Sequence, residues 1–365
     1  MKNNEYIIVQ NIIPNNITEG GSMRFVNIKD ELSENSEIFL MDFFNKNLPS
    51  TNLLSFLIKF PILITKLLFQ KKQRILFNYS NLPLTHFASF EFLNWLIIIF
   101  FIFIKAASLI KNHRIIIDIE DLPREQSKAL GYKLYITDYS RTKFEKIIFS
   151  LADELWFASD SMAKYEMKLL KKDLNYKVVH NSSKSFDNIE PLNIENDNFK
   201  FIYAGTMNKE RGLKFIIENF IKASKSNENI ELHLCGKSGE WIKKRYPSEN
   251  IKYWGPLNED KAVSLAKSCD IGLIAYPDSL YFNIILPAKT IFYIMSGLPI
   301  IDRNNTETGN LINTHNIGET FKYSDKSFID ALLKSTNNDN IKIKKKNILI
   351  IQKNFLTKNV LKSVT

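Results

Sequence analysis

Cysteine is almost missing from this chain: Cys235 and Cys269 are the only two in 365 residues. Two thiols are too few for a disulfide framework or a structural zinc cluster, so both read as packing groups in a reducing cytoplasm. No repeat of about 20 to 50 residues recurs, which removes solenoid arrays. The amino terminus has no long apolar stretch leading to a cleavage site. Its short run Tyr6 to Val9, next to Glu5, reads as a first strand rather than a signal peptide. The longest unbroken apolar run, Trp95 to Ile104, is only ten residues, although with Asn94 and Lys105 tolerated it extends from Phe92 to Ile110, close to the roughly 20 residues that a bilayer needs.

What the chain does contain is ordinary for a globular protein, with 45% hydrophobic and 24% charged residues. Its length favours two domains, because single cores stop growing near about 250 residues. The net charge of +10 favours an acidic partner: nucleic acid, an anionic bilayer or a phosphorylated substrate. No nucleic-acid-binding motif accompanies that charge, so nucleic acid is set aside as a partner.

Strand-like runs alternate with helix-length segments along the whole chain, the pattern of parallel sheets covered on both faces. The class is α/β. Strands are predicted at Glu5 to Gln10, Glu37 to Met41, Ile75 to Tyr79, Ile115 to Ile119, Glu154 to Ala158 and Tyr176 to Val179. After a polar stretch containing Pro191 they resume at Phe199 to Tyr203, Ile230 to Cys235, Ile251 to Trp254, Ile271 to Ile274 and Pro299 to Asp302. The boundaries follow: a first domain at 1–182, a linker at 183–198, a second domain at 199–340, and a basic helical tail at 341–365 that is expected to cross back to the first domain.

Two apolar stretches raise the membrane question. Leu53 to Phe69 is interrupted by Lys59, Pro61 and Lys66 and followed by Lys71, Lys72 and Arg74, a mix that suits either a packing helix or one lying in a membrane interface. The stretch Phe92 to Ile110 lies between two strands expected in one parallel sheet, and a spanning helix would separate those strands across the bilayer. Peripheral contact therefore remains open, while a full span does not.

Four segments are placed to carry chemistry. Gly20, Gly21, Ser22 and Arg24 follow the first strand at a helix start, where backbone approaches a ligand closely and an anion is favoured. The second domain opens with Ala204-Gly205-Thr206-Met207-Asn208-Lys209-Glu210-Arg211-Gly212-Leu213, in which Arg211 is able to grip two oxygens of one phosphate. The alternative is an ordinary exposed arginine. Pro287 suits a helix start and Gly297 a helix end, yet Lys289 falls in the first turn, where a cation opposes the helix dipole. Such a residue points to a ligand or to a plain surface lysine. The fourth segment, Asp118-Ile119-Glu120-Asp121, mimics an acidic metal motif, but strand-end carboxylates are often caps. His86, His113 and His180 lie near strand ends without any matching pattern and receive no role.

Taken together, these segments resemble the GT-B glycosyltransferases, in particular the large retaining family of glycogen synthases and bacterial capsule and O-antigen transferases. The pieces run in the family's order: GGSMR, AGTMNKERGL, LHLCGK, YWGPLNED and PAKTIFYIMSGLPII. The resemblance implies two doubly wound Rossmann-like domains facing a central cleft. It implies transfer of a sugar from a nucleotide diphosphate donor, with retention, to a surface glycan or lipid-linked glycan, on the inner face of the cell membrane. Gly205, Thr206, Arg211 and Lys289 would hold the diphosphate. Gly236, Lys237, Gly255 and Pro256 would surround the nucleotide, while Gly20, Gly21, Ser22, Arg24, Glu120 and Asp121 would line the acceptor side. Neither a metal nor a cofactor is implied.

One departure stands out. The family commonly carries an E-x7-E pair whose second glutamate binds the donor ribose; here its place is Phe292, and no glutamate occurs from Lys261 to Thr306. Asp278 and Asn283 are the nearest residues able to substitute. The loss also leaves a second reading, a non-catalytic GT-B subunit or glycan-binding partner of an active transferase.

Overall fold

The computed structural model describes residues 5–10, 20–33, 36–40, 49–79, 91–131 and 138–364. The chain divides into two compact units, Met1–His180 with Leu361–Thr365, and Asn181–Val360.

Each unit is built on a parallel sheet of six described strands. In the first, β1 (Tyr6–Gln10), β2 (Ser36–Leu40), β3 (Arg74–Asn78), β4 (Arg114–Ile119), β5 (Glu154–Phe157) and β6 (Tyr176–Val178) lie in the order β2-β1-β3-β4-β5-β6. In the second, β7 (Phe199–Ala204), β8 (Ile230–Cys235), β9 (Ile251–Gly255), β10 (Ile271–Leu273), β11 (Ile300–Arg303) and β12 (Gly318–Phe321) lie in the order β12-β11-β10-β7-β8-β9. Every pairing is parallel, which requires a crossover between successive strands and explains the alternation read from the sequence. Runs such as β5, β8 and β11 are buried at every position because helices cover both faces. Strand β12 was not expected: its residues Gly-Glu-Thr-Phe are too short and polar to signal a strand alone, and pairing with β11 makes them one.

In the second unit, Phe201, Tyr203, Leu232, Leu234, Leu273 and Ile301 join helices Leu213–Ser224 and Asp325–Ser335 in one apolar core. Strand order reverses between β7 and β10, and an open sheet with this reversal leaves a crevice at the carboxyl ends of those two strands. The polar segment after residue 181 is fastened to this unit. Lys267 Nζ donates to the carbonyls of Phe186 and Ile189 at 2.8 Å each, and Leu192 N donates to Ser264 O. The tail helix Asn338–Gln352 is fastened likewise, with Gln352 Nε2 donating to Ile294 O at 2.8 Å. Beyond it, Val364 O accepts from Lys177 Nζ at 2.8 Å in the first unit.

The two apolar stretches form helices Pro49–Phe69 and Glu91–Lys111, packed on each other through Phe60 and Phe100 at 5.2 Å between ring centroids. The second helix links β3 to its parallel neighbour β4, in agreement with the topological argument. Among the described residues no helix is long and apolar enough to cross a membrane. Packing explains only the inner faces, through Leu63, Leu67, Ile98, Phe101 and Ile104. The outer faces expose Leu57, Ile58, Ile62 and Phe69 on one helix, and Ile99, Ile102, Phe103, Leu109 and Ile110 on the other.

Arg24 departs from its expected place on the acceptor side. It is buried, donating from Nε to Asp118 Oδ2 at 3.1 Å, from Nη2 to Asp118 Oδ1 and from Nη1 to Val179 O. The pair ties helix Gly20–Leu32 to the carboxyl ends of β4 and β6. Arg24→Ala would strand the Asp118 carboxylate in the interior, so urea unfolding should show a loss of about 3–5 kcal/mol. A loss under about 1 kcal/mol would contradict this structural role.

Candidate functional site

The carboxyl end of β7 is prepared for close approach. Gly205 has φ 138° and Gly236, at the end of β8, has φ 147°, both outside the range that side chains adopt comfortably. A Cβ on Gly236 would lie 1.8 Å from Gly205 O, so only hydrogen fits between the two loops. Backbone bonds tie the loops in series: Gly205 N to Cys235 O, Met207 N to Lys237 O, and Gly236 N to Gly255 O. Thr206 is half-buried in this series, with its carbonyl accepting from Tyr203 Oη at 3.2 Å, while Lys237 and Pro256 are exposed.

Across the switch point, helix Ala288–Met295 is anchored by Tyr293. Its ring fills the space that Gly272 leaves, and its hydroxyl accepts from Ala204 N at 2.9 Å and donates to Ile202 O at 3.2 Å. Lys289 lies four residues earlier on the same side of the helix, which brings it to the end of β7. Only 3.4 Å separates its Nζ from the centre of the Tyr203 ring, and 5.3 Å from that of Tyr276. As a residue Lys289 is half-buried, but its ammonium is out of solvent and has no hydrogen-bond acceptor among the described residues.

Arg211 converges on the same place. It closes a short 3-10 turn, Lys209–Arg211, and Gly212 follows with φ 76° where a Cβ would come within 1.9 Å of Ala275 O. The turn is thereby pressed onto the chain leaving β10. Arg211 Nε is buried without an acceptor, and neither Arg211 nor Lys289 forms an ion pair with a described carboxylate. Burial first, and the charge of Arg211 second, hold the Lys289 amine well below its ordinary range. Both exposed-residue alternatives are therefore set aside.

An ammonium without solvent or acceptor destabilises a fold, and a second cation beside it adds repulsion. Faces of Tyr203 and Tyr276 offset part of that cost through their ring quadrupoles. The unmet remainder is capacity for an anion with oxygens for both groups. Asp302, at the end of β11, is the acid whose field reaches Lys289; burial pushes its carboxyl up to about 7, and Oδ2 accepts from Thr306 Oγ1 at 2.9 Å.

Asp278 and Asn283 are brought together by a residue that the sequence reading overlooked, Arg303. Its side chain is fully buried at the end of β11, with Nη1 2.9 Å from Asp278 Oδ1 and Nη2 2.7 Å from Asn283 Oδ1. Asn283 Nδ2 completes the triangle by donating to Asp278 Oδ1 at 3.0 Å. That bond, followed by Arg303, keeps the Asp278 carboxyl below the ordinary carboxylate range. Both polar atoms of Asn283 are thus engaged within the protein. A polar Asp-Arg pair closing an otherwise apolar strand was the available signal for Arg303.

Phe292 packs sideways, its ring edge-on to Phe186 at 6.3 Å between centroids. In the first unit, Gly20, Gly21 and Ser22 form the first turn of helix Gly20–Leu32, and the Ser22 side chain lies outside the described residues, as does His86. Asp121 is engaged locally, accepting from Leu122 N at 2.9 Å and from Gln126 Nε2, while Glu120 is half-buried just after β4. His113 is structural, accepting from Gln73 N on Nδ1 and donating from Nε2 to Leu67 O. Among the described residues no group of three or more potential ligands is arranged for a metal.

Residues 202–364 match the family model for the C-terminal domain of glucosyltransferase 3-like proteins. Solved structures extend the likeness to both units. A sucrose-phosphate synthase from Thermosynechococcus elongatus is 11% identical, covering 98% of this chain and 96% of its own, with a TM-score of 0.67. Anabaena Alr3699/HepE, in complex with UDP and glucose, is 9% identical over 98% and 97% of the two chains, at a TM-score of 0.63. The fold is GT-B. A third structure, the pneumococcal O-GlcNAc transferase GtfA with UDP and GlcNAc, is 12% identical with a TM-score of 0.57; the match covers 84% of this chain and 58% of that one. No relative among curated proteins matches the sequence. The resemblance to GT-B glycosyltransferases read from the motifs therefore holds at the level of fold.

The buried ammonium has a thermodynamic signature. Lys289→Met, which keeps the length and removes the charge, should stabilise the ligand-free protein by roughly 1–3 kcal/mol near neutral pH. In wild type the unfolded chain binds the Lys289 proton more tightly than the folded one, so stability rises with pH up to the ordinary lysine value of 10.5. The gap between variant and wild type should therefore narrow as pH rises toward that value. Urea melts at several pH values measure it; a variant that is less stable at pH 7 would contradict an unpaired buried charge.

Proposed function

We propose that the protein is a glycosyltransferase that takes its sugar from a nucleotide diphosphate donor and passes it to a glycan or lipid-linked glycan. The observation that carries this reading is the pair Arg211 and Lys289 at the strand-order reversal, whose buried Nε and Nζ have no hydrogen-bond acceptor and no ion-pair partner among the described residues. A diphosphate supplies what they lack: two negative groups and enough oxygens for a bidentate guanidinium and an ammonium together. Relatives that hold UDP support uridine diphosphate as the first nucleotide to test.

In the reaction the bond from the sugar's anomeric carbon to the diphosphate oxygen breaks, and charge grows on the departing phosphate. Arg211 and Lys289 stabilise that charge in a site fixed before the reaction, and the acceptor hydroxyl adds to the anomeric carbon as its proton passes to the departing diphosphate oxygen. Attack from the face that the diphosphate leaves retains configuration, as the motif resemblance implies. Gly236, Lys237, Gly255 and Pro256 flank the diphosphate on the β8 and β9 side and are assigned to the nucleotide. Phe292 removes one carboxylate without touching the cation pair. A non-catalytic subunit would have no reason to keep an unpaired buried lysine, so the enzyme reading is preferred.

Arg211→Ala and Lys289→Ala should each weaken uridine diphosphate binding by about 1.5–3 kcal/mol, roughly tenfold to a hundredfold, and abolish donor hydrolysis or transfer detected by mass spectrometry. Unchanged affinity in both folded variants would remove the assignment.

The protein works at the inner face of the cell membrane, docked through the outer faces of helices Pro49–Phe69 and Glu91–Lys111. Their exposed apolar residues adjoin Lys71, Lys72 and Lys111, and lysines near an anionic surface contribute about 1 kcal/mol each. Sedimentation with anionic vesicles should therefore be strong at low salt and weaker at high salt, and Leu109→Ser with Ile110→Ser should reduce it. Equal affinity for neutral and anionic vesicles, or none for either, would contradict this docking.

A further inference from the structure

Asp278 is built differently from the acids around it. Three donors converge on its Oδ1: Arg303 Nη1 at 2.9 Å, Asn283 Nδ2 at 3.0 Å and Asn305 Nδ2 at 3.3 Å. Oδ2 takes part in none of these bonds, and the side chain is 63% exposed. The partner that holds it, Arg303, is by contrast completely buried, stacked 5.8 Å from the Tyr323 ring centre and bonded to Asn283 and Asn305 as well. With Oδ1 held by three donors, only one of them an arm of Arg303, Oδ2 is the part of this exposed carboxylate that faces a ligand. Such an oxygen accepts hydrogen bonds and donates none once ionised.

The strand order places this carboxylate relative to the cation pair. Along the sheet edge the order is β11-β10-β7-β8-β9. Arg211 and Lys289 serve the reversal between β7 and β10, and the loops assigned to the nucleotide follow β8 and β9. Asp278 follows β10 and is held from β11, on the opposite side of the diphosphate position from the nucleotide loops. A donor stretched along this edge has its transferred sugar on that side. Tyr276, two residues before Asp278, bonds Arg211, which keeps the two places adjacent.

We propose that Asp278, positioned by Arg303, accepts the hydroxyls of the transferred sugar and restricts the donor to neutral sugars. This inference rests on the diphosphate-donor reading given above. A carboxylate rewards hydroxyl donors and repels a second carboxylate, so a uronic acid would meet like charge where a hexose offers hydrogen bonds. Asp278 acts on the sugar directly; Arg303 acts only through Asp278 and is a positioning residue.

The test is titration calorimetry of the full chain with uridine diphosphate, a panel of neutral UDP-hexoses and UDP-glucuronate. Wild type should bind at least one UDP-hexose about tenfold more tightly than UDP, and UDP-glucuronate more weakly than that hexose by a similar factor. Asp278→Ala should erase the hexose increment while UDP affinity stays within about twofold, and Asp278→Asn should remove the discrimination against glucuronate. Arg303→Lys keeps the buried charge but not the fork, and should lower the hexose increment without changing UDP affinity. If Asp278→Ala weakens UDP as much as UDP-hexoses, the carboxylate serves the ribose or the fold and the inference fails. It fails too if wild type binds UDP but gains nothing from any hexose. Absence of UDP binding by folded wild type would instead overturn the donor reading and this inference with it.

Discussion

The organising constraint of the second unit is an ammonium group held out of water with no acceptor for its hydrogen bonds among the described residues. Lys289 reaches that position because Tyr293 locks its helix under β7 and Gly272. Arg211 is delivered to the same place by a glycine turn pressed onto the chain leaving β10. Neither cation helps the fold by being there. The surrounding structure has to over-determine both positions, and it does so with close contacts at Gly212 and Gly272 that leave no space for a Cβ.

That constraint also explains why the site lies where it does. A parallel sheet whose order reverses leaves two adjacent strand ends with their connections departing to opposite faces, and the gap between them is the one place where both faces contribute residues. Here Arg211 comes from ahead of helix Leu213–Ser224, which follows β7, and Lys289 from helix Ala288–Met295, which follows β10. Asp302 and Arg303 lie one strand further on, where the chain leaves β11, and extend the polar edge away from the glycine loops.

Much of this was legible beforehand because it rests on local chemistry. Buried parallel strands announce themselves as short Ile, Val, Leu and Phe runs, and all but one of the described strands follow such a run; β12 does not, since pairing with β11 rather than its own composition makes it a strand. Lys289 was legible for a reason of its own, as a cation at the wrong end of a helix. Arg24 was misread because its burial depends on Asp118, 94 residues away, and a glycine-rich helix start looks the same whether the next arginine turns outward or inward. Arg303 was missed for the same reason, since its partners Asp278 and Asn283 are 25 and 20 residues distant. The apolar outer faces of helices Pro49–Phe69 and Glu91–Lys111 lay between the two readings available from composition, because a largely apolar helix has both a packed side and an exposed one.

The account turns on whether the cation pair is an anion site awaiting its ligand. A crystal structure of the protein with uridine diphosphate tests that most directly. The diphosphate oxygens should lie within hydrogen-bond distance of both Lys289 Nζ and Arg211, giving the buried ammonium the acceptors it lacks. Nucleotide bound elsewhere, with Lys289 still facing only the rings of Tyr203 and Tyr276, would contradict the account.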